Sequence, residues 1–285
     1  MGPKLACADY AFPLLPFDAV LDLIASLGFD GVDIGLFSGS SHVDPDRVLP
    51  ALPSSAHDLV ASVRDRGLAI SDMFLTPAKD FLTLAPNHPD PDERRKSREV
   101  FLRTLDLTVR CDATHMTALP GAPFPDVTRE DNLQRCAEEL AWRVEEAEKA
   151  DVVFAVEPHI GSIIPTPATT LSLLDSAPGL TLSLDWAHMS SEGIPDADIE
   201  PLLARTSHFH ARCARTGRLQ APMSENTIDF RRILGQLANL EYTGAFAVEY
   251  VWIEWKNCNQ VDNVSETILL RDLLREIASE TEWKA

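Results

Sequence analysis

The sequence predicts a single parallel barrel of eight β/α units, the (β/α)8 fold. Short apolar runs rich in β-branched residues recur along the chain, and a segment with helical periodicity follows each run. Runs such as VVFAV and AFAV are apolar at every position, as expected for parallel strands that are buried on both faces. The chain has 285 residues, which suits one barrel because such barrels commonly occupy about 250 residues.

Eight of these runs are candidate strands, and they occupy residues 5–8, 31–37, 68–75, 114–120, 152–158, 180–187, 207–212 and 245–251. The main alternative for alternating strands and helices is an open doubly wound sheet. That fold expects a glycine-rich phosphate-binding loop after its first strand, and ADYAFPLLPF contains no glycine. We therefore favour the closed barrel.

The helical segments between the strands are bounded by residue types typical of helix ends. They occupy residues 17–27, 56–66, 92–110, 129–150, 166–175, 198–205, 228–240 and 264–277, of which 198–205 is the shortest. Asp44 and Thr128 can accept hydrogen bonds from the free N–H groups of a first turn, and Gly28 and Gly67 stand where helices should end. No Pro-, Gly- or Ser-rich linker divides the chain, so we expect one domain over residues 1–285.

The charge and the cysteine content restrict the partners and the location of the protein. The formal net charge is −19 and no basic segment offsets it, so nucleic acids and anionic membranes are not expected partners. The N-terminus lacks the features of a signal peptide, and no run reaches the ~20 apolar residues of a membrane span. The five cysteines are scattered and form no C-x-x-C pair, so we expect reduced, mostly buried thiols. Together these features predict a cytoplasmic protein.

Polar side chains close the last four predicted strands. In parallel barrels the active site lies at the carboxyl ends of the strands, so polar residues at these positions are candidates for function. One such residue alone is more commonly a surface cap or an ion-pair partner, but four successive strands end in this way here. The candidates are Glu157 in VVFAVEPH, Asp185 and His188 in LTLSLDWAH, His208, His210, Arg212 and Arg215 in SHFHARCAR, and Glu249 in GAFAVEY.

Three carboxylates at one end of a barrel need a cation, because a buried unpaired carboxylate is strongly destabilising. Three carboxylates and one imidazole suit Mn²⁺, with Mg²⁺ or Co²⁺ as alternatives. We predict Glu157, Asp185, His210 and Glu249 as the ligands. His208 shares the strand face of His210 but lies farther from the carboxyl end, so we expect it in the core one layer below. Three carboxylates and a divalent ion sum to a charge of −1, which favours a neutral sugar as substrate.

The ordered series VEPH, LDWAH, HFHAR, ENTIDF and VEY resembles the xylose isomerase-like TIM barrel superfamily of sugar isomerases and epimerases. The series spans nearly the whole chain, and it is similar to the ketose 3-epimerases and inosose dehydratases. The resemblance implies that Glu157 and Glu249 bind the metal and also act as acid and base beside the substrate. It implies that Asp185 and His210 are ligands only, and that His188 hydrogen-bonds the substrate.

Further substrate contacts are expected around the barrel mouth. The resemblance implies an arginine shortly after the metal-binding histidine, and both Arg212 and Arg215 are candidates. We rank Arg212 first because it shares the strand face of His210. Trp252 and Trp255 follow the eighth strand, where they either stack on a sugar ring or an aglycone, or pack the loop against the final helix.

The predicted site suits chemistry beside a carbonyl group. Removal of a proton there gives an enolate or enediolate, and a metal that contacts the oxygens stabilises its charge. Return of the proton to the opposite face gives epimerisation, and return to the neighbouring carbon gives aldose–ketose isomerisation. The alternative is a lyase or dehydratase that eliminates a β-substituent from a keto-inositol or a 3-oxo-glycoside. The segment VEPHIG favours that alternative, because many ketose epimerases have Asn after VEP.

Two other classes of protein are compatible with the fold. The superfamily includes apurinic-site endonucleases, but the net charge of −19 argues against binding of a phosphate backbone. A non-catalytic barrel, acting as a homo-oligomer or with a partner subunit, is the second. The absence of a glycine-rich phosphate cradle after the seventh or eighth strand favours an unphosphorylated small-molecule substrate.

Overall fold

Eight parallel strands form a closed barrel in the computed structural model, which describes residues 3–283. Each strand pairs with the next one in the chain, and the first strand pairs with the last. The strands are β1 (Lys4–Ala8), β2 (Gly31–Phe37), β3 (Ala69–Thr76), β4 (His115–Ala118), β5 (Val153–Val156), β6 (Thr181–Asp185), β7 (Thr206–Ala211) and β8 (Ala245–Val248). The predicted fold class is therefore confirmed, and the open doubly wound sheet is excluded.

Helices connect the strands and surround the barrel. They are α1 (Phe17–Ser26), α2 (Pro45–Val48), α3 (Leu52–Arg64), α4 (Pro91–Arg110), α5 (Arg129–Glu148), α6 (Pro167–Ser176), α7 (Trp186–Ser191), α8 (Asp196–Ile199), α9 (Phe230–Asn239) and α10 (Asn263–Glu280). The predicted caps Asp44 and Thr128 accept hydrogen bonds from the backbone N–H groups of Asp46 and Asp131. Within residues 3–283, no helix is long and apolar enough to cross a membrane.

The strands that carry the candidate residues end earlier than the sequence predicted. β5 and β8 end one residue before Glu157 and Glu249, so these side chains stand just beyond the barrel. The prediction that the sixth strand continues to residue 187 is wrong. Asp185 accepts a hydrogen bond from the backbone N–H of Ala187 at 2.9 Å and thereby caps α7, which begins at the next residue.

The hydrophobic core lies inside the barrel and between the strands and the surrounding helices. Phe209 of β7 and Phe246 of β8 are fully buried, and their ring centroids are 5.2 Å apart. The five cysteines are all buried and none is in a disulfide, as predicted. This core fixes the strand ends on which the candidate site is built.

Candidate active site

The ends of the last four strands bring the four predicted ligands to one buried place. In the pairing of β6 with β7, Asp185 lies opposite His210, and in the pairing of β7 with β8, Ala211 lies opposite Val248, the residue before Glu249. Glu157, Asp185, His210 and Glu249 are each at most 5% exposed. Parallel pairing in register therefore collects residues that are far apart in the sequence.

His210 is at the centre of the closest group. Its Nδ1 atom lies 2.9 Å from Oε1 of Glu157 and 3.3 Å from Oε2 of Glu249. One ligand atom from each of these three residues lies within 4.8 Å of the others, which is close enough for all three to bind one ion.

Asp185 is held differently, because it forms an ion pair with Arg212. Nε of Arg212 donates to Oδ2 of Asp185 at 2.8 Å, and Nη2 donates to the same oxygen. The same Nη2 lies 3.1 Å from Nε2 of His188 and 3.7 Å from Oε2 of Glu249. The structure thus divides the four predicted ligands into a group of three and an aspartate paired with arginine.

The donor set fits a divalent ion. Among residues 3–283, the buried Oε2 atom of Glu249 has no hydrogen-bond partner, because no nearby donor has suitable geometry. With His210 neutral, as a metal-binding imidazole must be, three carboxylates and Arg212 sum to a charge of −2, and a divalent cation brings that sum to zero. The charge of −1 expected from the sequence omitted Arg212, whose guanidinium is buried among these carboxylates.

The pKa values of the two glutamates are shifted in opposite directions. Burial raises the pKa of Glu249 to about 7. Burial alone would also raise the pKa of Glu157, but the hydrogen bond with His210 lowers it below its usual value. Burial lowers the pKa of His188 well below its usual value, so His188 is neutral at pH 7. Carboxyl groups with divergent pKa values suit separate acid and base roles.

Asp33 supports the cluster from below, and the sequence analysis did not identify it. Its Oδ2 atom lies 2.7 Å from Nε2 of His208 and 3.6 Å from Nε2 of His210. His208 is therefore a buried histidine one layer below His210, as expected. A carboxylate behind a metal-binding histidine fixes the orientation and the protonated nitrogen of the ring.

A cavity of about 530 Å³ opens above the cluster, and Glu157, Glu249 and Arg212 form its floor. Aromatic side chains form much of the wall, namely Tyr10, Phe37, Phe74, Phe81 and Trp255. A cavity of this size and lining is suited to a small molecule with an apolar face.

His159, which follows Glu157 in the VEPH segment, is a cavity residue that the sequence analysis did not select. Its ring stacks on Trp255 with centroids 5.2 Å apart, and it lies 4.1 Å from the ring of His188. The departure from the Asn of many ketose epimerases was visible in the sequence, but it did not show that the side chain faces the cavity. His42 also lines the cavity, and its Nδ1 lies 2.9 Å from Oδ2 of buried Asp9.

Two of the predicted substrate contacts are not brought to this cavity. Arg215 is exposed and donates to Glu225 at 2.9 Å on the loop after β7. Trp252 lines a separate groove with Leu14 and Leu15. Trp255 and Arg212 do line the cavity, and His188 lies directly behind Arg212.

A family model described as the xylose isomerase-like TIM barrel matches residues 21–273. The chain belongs to this family. The match covers most of the barrel, and it confirms the resemblance inferred from the strand-end motifs.

Two of the similar proteins are named as sugar epimerases. The chain is 29% identical over 254 residues to an Escherichia coli K12 protein with a proposed assignment as an L-ribulose-5-phosphate 3-epimerase, covering 82% of this chain and 83% of that protein. Among solved structures, the D-psicose 3-epimerase of Clostridium cellulolyticum H10 with D-tagatose superposes with a TM-score of 0.74 at 17% identity, over 96% of this chain and 99% of the other.

A third likeness is to a xylose isomerase-like TIM barrel protein of Mycobacterium smegmatis solved in complex with magnesium. It has a TM-score of 0.73 and 15% identity, and the match covers 98% of this chain and 97% of the other. At these identities the solved structures establish that the fold is shared.

Proposed function

We propose that this protein is a divalent-metal-dependent enzyme that moves a proton beside the carbonyl group of a ketose or keto-sugar, as a sugar epimerase or isomerase. The observation that carries the proposal is the buried group of Glu157, His210 and Glu249 at the floor of an accessible cavity. The family membership and the epimerases among its relatives support it.

We propose Glu157, His210 and Glu249 as residues that hold the metal, with Asp185 as a fourth ligand when Arg212 releases it. The bound ion would supply a positive charge to the oxygens on which negative charge develops. Carboxylate-rich ligation favours Mn²⁺, with Mg²⁺ or Co²⁺ as alternatives, and the magnesium complex of the Mycobacterium smegmatis relative supports such an ion.

Glu157 and Glu249 are the groups that move protons in this proposal. They approach the cavity floor from β5 and β8, so a sugar carbon above the floor can have one carboxyl group on each side. One glutamate removes the proton, and the other returns a proton to the opposite face. Return to the neighbouring carbon would give isomerisation instead.

The remaining contacts orient the substrate. Arg212 supplies hydrogen-bond donors beside the carboxylates, and His188, whose Nε2 accepts from Nη2 of Arg212, is proposed as a further substrate contact. Trp255 with His159 offers a flat apolar wall for one face of a sugar ring. With the metal, the buried charges sum to zero, which suits a neutral sugar better than a polyanion such as a nucleic acid. We also infer that residues 1–285 act as one domain.

The cavity itself favours a second candidate, in which the substrate carries a leaving group. A volume of about 530 Å³, with Phe37, Phe81 and Trp255 among the residues of its wall, exceeds what a single small ketose fills. A 3-oxo-glycoside or keto-inositol could then lose its β-substituent after the same proton removal, which would make the enzyme a lyase.

A substrate panel tests both candidates. Protein loaded with Mn²⁺ is incubated in deuterated water with ketoses, a ketose 5-phosphate, inososes and 3-oxo-glycosides, and the products are analysed by mass spectrometry and NMR. Epimerisation conserves the composition and introduces deuterium at one carbon, whereas elimination releases water or an aglycone. Absence of exchange and of products across the panel, with the metal bound, would contradict the proposed function.

A further inference from the structure

We propose that Arg212 is a resident cation that competes with the divalent ion for the acidic cluster, so that the chain itself partly neutralises the cluster when no ion is bound. The proposal rests on the proposed metal site and adds a regulator of its occupancy. In this account Arg212 holds Asp185 away from the ion and releases it when the ion binds.

The geometry of Arg212 is that of a buried counterion. Nε and Nη2 both donate to Oδ2 of Asp185, and Nη2 also lies 3.7 Å from Oε2 of Glu249. Both are residues that the sequence predicted as metal ligands. Arg212 is 3% exposed, so water screens its charge poorly. A guanidinium group cannot lose its proton in a protein, so this positive charge is permanent.

The division of the ligands follows from this contact. Glu157, His210 and Glu249 have ligand atoms within 4.8 Å of one another, and this close group does not include Asp185. Asp185 uses its other oxygen, Oδ1, to cap α7 through Ala187. Oδ2 accepts two hydrogen bonds from Arg212, which use both of its lone pairs, so this oxygen can bind the ion only if Arg212 gives up at least one of them.

Competition has a direct consequence for metal affinity. An arriving divalent ion must approach the positive charge of Arg212 or displace it from Asp185, and either process opposes binding. Removal of the charge should therefore make the site bind metal more tightly. It should also leave three buried carboxylates without their resident cation, so the metal-free protein should become less stable.

The test is the affinity of the metal-free protein for Mn²⁺, measured by isothermal titration calorimetry in wild type and Arg212→Met. Methionine keeps much of the length of the side chain and removes the charge and the donors. We expect Arg212→Met to bind Mn²⁺ about tenfold or more tightly, because the variant lacks a buried positive charge that repels the ion at short range. We also expect Mn²⁺ to raise the melting temperature of the variant more than that of wild type.

Arg231→Met is the matched control. Arg231 is exposed on α9 and pairs with Glu276 and Glu280, so its loss should leave the Mn²⁺ affinity within about twofold of wild type. Arg212→Lys keeps a charge without the forked donors, and we expect an affinity between those of wild type and Arg212→Met. If Arg212→Met folds only with Mn²⁺ and unfolds on addition of EDTA, the competition is supported.

The outcomes separate this proposal from the proposed function. Equal or weaker Mn²⁺ binding by a folded Arg212→Met, with tight binding by wild type, would overturn the role of Arg212 and leave the metal site standing. If Arg212→Met binds Mn²⁺ and wild type does not, the proposal is supported, because Arg212 then excludes the ion completely. Lack of binding by both proteins would overturn the metal site and the competition together.

Discussion

Two layers of buried charge lie inside this barrel, and they are balanced differently. In the lower layer Asp33 lies 2.7 Å from His208 and Asp72 lies 2.6 Å from His115, so each carboxylate has an imidazole of its own. In the upper layer three carboxylates share one histidine and one arginine. The lower layer therefore has one imidazole for each carboxylate, whereas the upper layer has more carboxylates than basic partners.

This difference separates a structural from a functional use of buried charge. Paired carboxylates and histidines can be retained for the order they give to a core, although such pairs contribute little net stability. An excess of one sign is unfavourable unless a ligand compensates it. The excess lies at the carboxyl ends of the strands, below the cavity, which is where catalytic residues occur in parallel barrels.

The largest expected effect comes from the glutamates of the upper layer. Glu157→Gln and Glu249→Gln each keep the shape of the side chain and remove its capacity to exchange a proton. We expect kcat to fall by about 10²–10⁴-fold at saturating Mn²⁺, the usual contribution of general acid–base catalysis. Steady-state kinetics on the substrate found by the panel measure this, with metal content determined in the same samples. Undiminished turnover in either variant would contradict its role.

Asp33 lies between the two layers. Its replacement should weaken Mn²⁺ binding, although Asp33 is not itself one of the proposed metal ligands. Asp33→Asn removes the carboxylate behind His210 and His208. We expect the Mn²⁺ affinity to fall by about 10–100-fold, as is typical when the partner of a ligating histidine is lost. Calorimetric titration with Mn²⁺ provides the value. An affinity equal to that of wild type would mean that Asp33 only balances His208.

Replacement of Asp72 tests whether the lower layer of buried charge contributes to stability and not to metal binding. Asp72→Asn weakens the pair with His115 in the lower layer, where a ligand atom of Asp72 lies within 4.8 Å of one on His210. We expect unfolding in urea to show a loss of about 1–3 kcal/mol, the range for an impaired buried hydrogen-bond partner. The Mn²⁺ affinity should stay within about threefold of wild type, and a larger loss of affinity would show that the two layers are not separate.

The smallest expected effect is a pH dependence at the cavity rim. The hydrogen bond with Asp9 raises the pKa of His42 above its usual value, although partial burial opposes the shift. A raised pKa in the folded state means that the pair stabilises the protein fully below the unfolded pKa of His42 and loses this effect as the pH rises through the folded value. The difference in unfolding free energy between wild type and His42→Asn should therefore be larger at pH 5.5 than at pH 9, and an equal difference would exclude this linkage.

The strand-end glutamates were predictable because their signal is local. Glu157 and Glu249 each follow an apolar run typical of a buried strand, and the barrel brings such ends together. Asp33 lies within its run, GVDIGLF, and its partner His208 is 175 positions away. Nothing in the run itself indicates that pairing, so the support below His210 emerged only from the structure.

Arg212 and the tryptophans show a second limit of the sequence. Strand alternation predicted Arg212 on the face of His210, but its pairing with Asp185 depends on the register of β6 and β7. Trp252 and Trp255 are equivalent in a local pattern, and only one lines the cavity. The loop that carries both tryptophans continues through Lys256 and Asn257. The backbone φ values of these two residues are 53° and 58° respectively, in the left-handed region. Such backbone geometry is not specified by the residue types alone.

The most direct test of the central claim is the stoichiometry of Mn²⁺ binding to the metal-free chain, measured by calorimetry for wild type and His210→Ala. His210 contributes the atom that lies between Glu157 and Glu249, so the account predicts one ion per wild-type chain and at least a hundredfold weaker binding by the variant. Equal binding by the two proteins, or no binding by folded wild type, would contradict it.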